Sequence, residues 1–334
     1  MWVLCERCRW SAISLARDTV GMAGNARATT FVTGSDGFLG TELVKLLVSR
    51  GHRVLALTPS VEGAETMRRI GAVPVVGDLL TPGRWQDEAA ADWVFHLSLS
   101  QADRKRTFLK RPATMARVRL SLDANLLDAV SAGSTGTIVY VADTSCYGAV
   151  GSRPITEDEP PRPSASGRWL VPALDRLNGY LLAGLPIVTA IPGSVYGNGS
   201  WFRSLVIEPV LTGRRVLQFG RTGPLVSPIH VHDCVRALVH LAEHGKAGGR
   251  YFVANNVPVR MSEFAKTFAR LANRPLRVWR LPAAATRFVV GPAWAEYPQA
   301  DAVLSNIRLR AIGFRLEYLT LEEGTEQILR ALHE

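Results

Sequence analysis

Three glycines carry the clearest chemical signal in this sequence. The stretch Thr33-Gly34-Ser35-Asp36-Gly37-Phe38-Leu39-Gly40 spaces them as TGxxGxxG, between a short apolar run at 30–33 and a segment with helical spacing of Leu39, Leu43, Leu46 and Leu47. Glycine lets the chain turn tightly and lets backbone N–H groups approach a pyrophosphate, while the positive end of the following helix attracts the same anion. A turn chosen for packing alone does not call for three glycines at this spacing between a strand and a helix. The expectation is a dinucleotide held by Gly34, Asp36, Gly37, Phe38, Leu39 and Gly40. The next strand, Arg53–Leu57, is followed by Thr58, Pro59 and Ser60 instead of the acid that usually accepts the adenosine ribose hydroxyls. Without that charge a 2′-phosphate is not repelled, so NADP is expected over NAD, with Thr58 and Ser60 beside it, although no arginine stands at the obvious clamping position.

These residues need a frame. Strands are expected at 30–33, 53–57, 73–76, 93–97, 137–142, 187–191 and 251–254, with helices at 38–50, 115–131 and 168–183. Strands separated by helices predict a Rossmann α/β fold, a doubly wound parallel sheet. The Pro- and acid-rich segment 155–166 reads as a loop over the site, and beyond Pro192 the alternation becomes irregular. The expected organisation is an N-terminal extension at 1–27, a nucleotide-binding domain at 28–190, and a smaller substrate-binding region at 191–334 with segments returning to the sheet. Met22 opens a compact lead-in to the first strand, so the natural start is expected there or at Met1.

Bulk properties narrow the class. The chain has 334 residues, 47% hydrophobic and 20% charged, enough for a sizeable core. Its apolar runs are too short and interrupted for a membrane span. Cys5 and Cys8 form a lone CxxC, and Cys146 and Cys234 fall in ordered segments, so reduced thiols and a cytoplasmic location are expected. The net charge of +10, from 39 Lys and Arg against 29 Asp and Glu, invites a nucleic-acid partner. The densest basic run spans Arg104 to Arg119, without any nucleic-acid-binding signature, and reads as a solvated helix face or as a rim attracting an anionic ligand. Neither nucleic acid nor membrane is expected as a partner.

Further blocks agree in order and spacing with a known family. VVGDLL at 75–80, VFHLSLS at 94–100, IPGSVYGNG at 191–199, PIHVHDCVRAL at 228–238 and NIRLRAIGF at 306–314 resemble the extended short-chain dehydrogenases of the NAD-dependent epimerase/dehydratase type. The resemblance covers roughly residues 30–332 and implies cofactor contacts by Asp78, Leu79, Leu97, Ser98, Leu99, Pro192, Ser194 and Val195. The departures fall on the chemistry. Asp143, with Thr144 beside it, stands where the family carries its active-site Ser or Thr, Ser166 replaces the catalytic Tyr, Leu170 the Lys, and Arg119 a structural Asn. A serine without a neighbouring ammonium is no comparable proton donor near neutral pH, so epimerase and sugar-dehydratase chemistry is not expected. Hydride delivery needs only an oriented nicotinamide and an electrophilic carbon. In this respect the chain resembles the atypical ketoreductases of aromatic-polyketide (angucyclinone) tailoring, which implies NADPH, a flat aromatic ketone and Asp143, Thr144 and Ser166 as the catalytic candidates. The rival readings are a nucleotide-binding sensor without turnover and a lyase or cyclase that keeps its cofactor for structure.

Other residues weigh less. Asp143 either orients a substrate hydroxyl or merely caps a turn. Tyr147 and Tyr196 read as packing residues. His96, His230 and His232 join no carboxylate at metal spacing, and no metal is expected from them. Trp169, Trp201, Phe202, Phe219, Trp279 and Trp294 flank the substrate region, some as core and some suited to a flat ligand.

Overall fold

The structure is a computed structural model that describes residues 27–97, 112–130, 134–164, 167–289 and 300–333. Seven short strands form its central sheet: β1 (Thr29–Thr33), β2 (Arg53–Thr58), β3 (Val73–Val76), β4 (Trp93–His96), β5 (Thr137–Val141), β7 (Ile187–Pro192) and β12 (Arg250–Val253). They lie side by side in the order β12-β7-β5-β4-β1-β2-β3, every pair parallel. The winding reverses between β1 and β4, and the crevice at their carboxyl ends is where open α/β sheets bind ligands.

Alternation along a strand sends neighbouring side chains to opposite faces. Phe31 joins one core with Leu122 and Leu126 of the helix Pro112–Leu127 and Leu177 of the helix Val171–Leu182. Val32 joins the other, with Leu43 and Leu47 of α1 (Phe38–Ser49) and Leu238 of the helix Val231–His244. Both faces are covered, so β1 beyond Thr29 and β7 along its whole length are buried continuously, with no alternation of exposed residues.

Both β12 and the helix Val231–His244 come from beyond residue 190 and return to this sheet. In the other direction β6 (Gly151–Ile155) leaves the first half and pairs with β15 (Ala302–Leu304), in a four-stranded sheet with β10 (Leu225–Val226) and β13 (Val259–Arg260). Phe219 and Trp279 lie on a separate parallel pair, β9 (Val216–Phe219) and β14 (Val278–Leu281). A third core, built around Tyr196, Phe202, Phe264 and Phe268, supports this smaller region.

Candidate active site

The glycine loop leaves β1 at the switch point. Gly34 takes the left-handed backbone at φ 66°, and its carbonyl accepts the Gly37 N–H at 3.0 Å. A Cβ on Gly40 would lie 2.0 Å from the Gly34 carbonyl oxygen, so the first turn of α1 rests directly on the loop. Ser35 Oγ donates to the Leu57 carbonyl at 2.7 Å and ties the loop to β2. No side chain caps α1 at Gly37, and its first turn carries no acid. The orphan amides and positive end of a twelve-residue helix thus lie at the crevice with no side-chain cap and no acid in their own first turn, an arrangement that fits a pyrophosphate. Leu97, at the end of β4, closes the other side, its Cβ 3.7 Å from where a Gly34 Cβ would stand.

At the ribose edge the fold adds a charge that β2 itself lacks. Thr58 is fully buried, and a Cβ on Gly63 would lie 2.1 Å from its Oγ1. The half-buried carboxyl of Asp36 lies beside the Thr58 hydroxyl. Burial raises the Asp36 pKa above the usual carboxylate value, against the pull of its backbone amide and of Thr58. Ser60 Oγ accepts the Gly63 N–H at 3.0 Å and caps the next helix. Asp78 is exposed and accepts the Leu80 N–H at 2.9 Å, while the Leu79 carbonyl accepts from Asn125 Nδ2 at 2.9 Å.

Toward the other end, Pro192 closes β7, and Ser194 and Val195 lie in β8 (Ser194–Tyr196). That strand pairs with β11 (Pro228–His230), and the Ser194 N–H donates to Ser227 O at 2.8 Å. Beyond β5, Asp143 Oδ1 accepts the Ser145 N–H at 2.7 Å and caps a short 3-10 turn, Thr144–Tyr147. Thr144 is half-buried beside it. Leu170 is fully enclosed in the first core. Of the expected site residues, Ser98, Leu99 and Ser166 lie outside the described residues.

The structure also assembles a buried polar cluster that sequence reasoning missed. Arg119 does not join the solvated face of the basic run. It is 3% exposed, with Nε 2.7 Å from Asp123 Oδ1 and Nη2 donating to the Val141 carbonyl at 3.2 Å. Its guanidinium lies 4.3 Å above the Tyr140 ring, and the Tyr140 hydroxyl donates to Asp123 Oδ2 at 2.9 Å. His96 Nε2 meets Asp123 Oδ1 at 2.8 Å, and its Nδ1 lies 3.0 Å from Thr33 Oγ1. Burial lowers the His96 pKa more than Asp123 raises it, leaving a neutral ring that donates to the carboxylate and accepts the Thr33 hydroxyl. Burial works to raise the Asp123 pKa, but the Arg119 charge and the hydrogen bonds from His96 and Tyr140 outweigh it and keep the carboxyl ionised. The cluster links the carboxyl ends of β1, β4 and β5, the floor of the crevice.

Of the two histidines of the IHVHD block, His230 serves packing and capping, and His232 is exposed. His230 is buried against Tyr318, ring centroids 4.2 Å apart, with Nδ1 accepting the His232 N–H at 3.3 Å. Tyr147 and Tyr196 are both buried, Tyr147 against Phe252 and Tyr196 among Phe202, Phe264 and His230.

The family model for NAD-dependent epimerases/dehydratases matches residues 30–254. The chain belongs to this family. It is 28% identical over 300 residues to a 4-hydroxy-2-methyl-3-oxo-4-farnesyl-3,4-dihydroquinoline-1-oxide ketoreductase of Stigmatella aurantiaca, covering 85% of this chain and 86% of that one. It is 26% identical over 312 residues to a 3β-hydroxysteroid dehydrogenase/Δ5→4-isomerase of Mycobacterium tuberculosis, covering 80% and 77%. In fold it is similar to the UDP-glucose 4-epimerase of Thermus thermophilus in complex with NAD, with TM-score 0.74, 22% identity, and 91% and 99% of the two chains covered. With reductases and dehydrogenases among its named relatives, this member is an NAD(P)-dependent oxidoreductase.

Proposed function

We propose that this family member is an NADPH-dependent ketoreductase that reduces a carbonyl of a polycyclic aromatic polyketide, an angucyclinone-like quinone or ketone, in antibiotic biosynthesis. The observation that carries the reading is the contrast within one crevice. The phosphate loop is complete, whereas Leu170 is sealed in the core and Asp143 is occupied as a turn cap. The bound nicotinamide supplies the hydride. The protein holds the reacting carbonyl against it, and a phenolic hydroxyl beside that carbonyl supplies the proton, because no lysine polarises a side-chain donor at position 170. Hydride on the carbonyl carbon and the phenolic proton on its oxygen would give the alcohol and leave a resonance-stabilised phenolate, which water reprotonates. The Stigmatella relative, named as a ketoreductase of an oxo-dihydroquinoline oxide, supports a ring ketone as the substrate class. Residues beyond 190 supply most of the substrate side, and Asp143, Thr144 and Ser166 position the substrate without acting as indispensable acids.

NADPH is favoured over NADH because Thr58 ends β2 without a charge; Asp36 opposes this, so the margin is narrow. No helix among the described residues is long and apolar enough to cross a membrane, and a cytoplasmic location is part of the proposal.

The test follows NADPH consumption at its nicotinamide absorbance over a panel of quinones, aromatic ketones and sugar nucleotides. Turnover is expected with phenol-bearing polycyclic ketones. Methylating the phenol beside the carbonyl should slow reduction strongly, and Thr144→Ala and Ser166→Ala should each cost less than about tenfold, whereas loss of a true acid costs roughly 10²–10⁴-fold. Tight NADPH binding without turnover on any ketone would overturn the reading in favour of a nucleotide-binding protein, and product formation without net NADPH consumption in favour of a lyase or cyclase.

A further inference from the structure

The helix Val231–His244 ends in His240-Leu241-Ala242-Glu243-His244. Spacings of three and four residues place His240, Glu243 and His244 on one side of the helix. One ligand atom from each lies within 4.8 Å of the other two, and the imidazoles of His240 and His244 have centroids 4.4 Å apart. None of the three belongs to the cofactor crevice. Their helix packs on α1 and ends at the amino edge of the sheet, where Glu243 lies near enough to His52, the residue ahead of β2, to act on its ring.

We propose that His240, Glu243 and His244 form a binding site for a divalent transition-metal ion, with Zn²⁺ as its reference ligand, on the edge of the sheet away from the cofactor. Two imidazoles and one carboxylate suit a borderline cation such as Zn²⁺, Ni²⁺ or Cu²⁺, while Mg²⁺ and Ca²⁺ call for oxygen ligands. The arrangement also has the outer support that metal-binding histidines use. His240 Nε2 lies 2.9 Å from the Ile312 carbonyl, so the N–H stands on Nε2, the ring is held in place, and Nδ1 keeps a lone pair. The ring is packed against Phe314, with centroids 5.6 Å apart. Glu243 and His244 are exposed, which gives an ion a route in and leaves room for water to complete a tetrahedron. The site occupies the last turn of the helix, where the dipole favours a cation. Arg236, one turn earlier, is the nearest competing positive charge on this helix, and it is turned to Asp233 at 2.6 Å and Glu317 at 3.2 Å. Through the bond to Ile312, a metal here ties the end of this helix to the segment that leads to the C-terminal helix Leu321–His333.

The experiment uses the full chain carrying Cys5→Ser and Cys8→Ser, which removes the thiol pair that would bind zinc independently. Calorimetric titration with Zn²⁺ should show one equivalent bound and a raised unfolding temperature. His240→Ala and His244→Ala should each weaken binding at least about tenfold, and Glu243→Gln by less. Ni²⁺ and Cu²⁺ should compete, and Mg²⁺ and Ca²⁺ should not. NADPH affinity should be the same with and without Zn²⁺. All three side chains are at least partly exposed, so the variants are expected to fold, and their circular dichroism checks it. As a second measurement, Zn²⁺ should move the imidazole proton resonances of both histidines. No binding to the parent protein, affinity unchanged in the His240→Ala/His244→Ala protein, or equal competition by Mg²⁺ would each overturn the proposal.

Discussion

At the phosphate end of the crevice the chemistry rests on backbone: Gly34 in a left-handed turn, the uncapped amides of α1, and Gly40 pressed on the Gly34 carbonyl. At the far end, past β4 and β5, proton chemistry would rest on side chains, and there Asp143 caps a turn, Leu170 packs in the core, and Arg119 lies in an ion pair with Asp123. A backbone cradle depends on residues that have no side chain to alter, whereas proton transfer depends on a few particular atoms. One end can therefore keep its ligand while the other changes its chemistry. The cluster that joins them, from Thr33 through His96 and Asp123 to Arg119, holds both ends in one geometry.

Four measurements would break or sharpen this contrast. The largest effect is expected from Asp123→Ala, which leaves Arg119 charged and buried without a counterion; such losses cost about 3–5 kcal/mol, read from chemical denaturation. A loss below about 1 kcal/mol would mean that the cluster does not support the floor. Gly37→Val comes next. Gly37 has φ −76°, which any residue adopts, so the variant should fold normally yet lose at least about a hundredfold in NADPH affinity, on the order of 2.7 kcal/mol, because a branched side chain would stand where the backbone meets the pyrophosphate. Retained affinity would place the phosphates elsewhere.

The third measurement is stability against pH. His96 has a lowered folded-state pKa, so its contribution is complete above its unfolded value of about 6.5 and is lost as the pH falls. Asp123 has a depressed folded-state pKa, so its contribution persists above its unfolded value of about 3.9 and is lost only in stronger acid. In unfolding curves the first loss should be smaller in His96→Gln than in the parent protein but not absent, because burial also lowers the pKa of His230, His52 and His240, while the second should persist. Equal losses between pH 7.5 and 5 in the two proteins would exclude His96 as the source of the first. The smallest effect is expected from Asp36→Asn, which should raise the NADPH-to-NADH affinity ratio by about three- to tenfold by removing charge near the ribose edge, a range set by a modest Coulomb term near a protein surface. Thr58→Asp should move the ratio toward NADH. An unchanged ratio in Asp36→Asn would show that this carboxyl does not face the ribose.

Features that depend on short-range spacing were legible in the sequence. The strand, glycine turn and helix from Thr29 to Ser49 were readable because one local pattern dictates all three. The strand at 151–155 was not, since Arg153 and Pro154 give it no apolar alternation and its partner, β15, lies in the last part of the chain. Arg119 was read with its basic neighbours, and Arg117 is indeed exposed. What buries Arg119 is Asp123 four residues on, with His96 and Tyr140 from two strands. The four-residue spacing to an acid was a visible signal; the strands that complete the cluster were not. The contact of Asp36 with Thr58 likewise joins a loop to a strand end that only the folded sheet brings together. The His240, Glu243 and His244 spacing was visible, but it gained meaning only with Ile312 behind it.

The return of β12 to the sheet bears on how the chain can be cut. β7 is buried along its whole length, and its outer edge is covered only because Thr189 pairs with Arg250 and Ile191 with Phe252. A fragment ended after residue 192 would expose a buried, largely apolar strand edge with unpaired N–H and C=O groups, a template for pairing with another copy of itself. Such a fragment would contain the entire glycine loop and still be expected to aggregate. The same pairing joins parallel strands far apart in the chain, so the edge is completed late in folding, after synthesis has passed residue 253. Until then the apolar edge of β7 is the part of the emerging chain most in need of shelter.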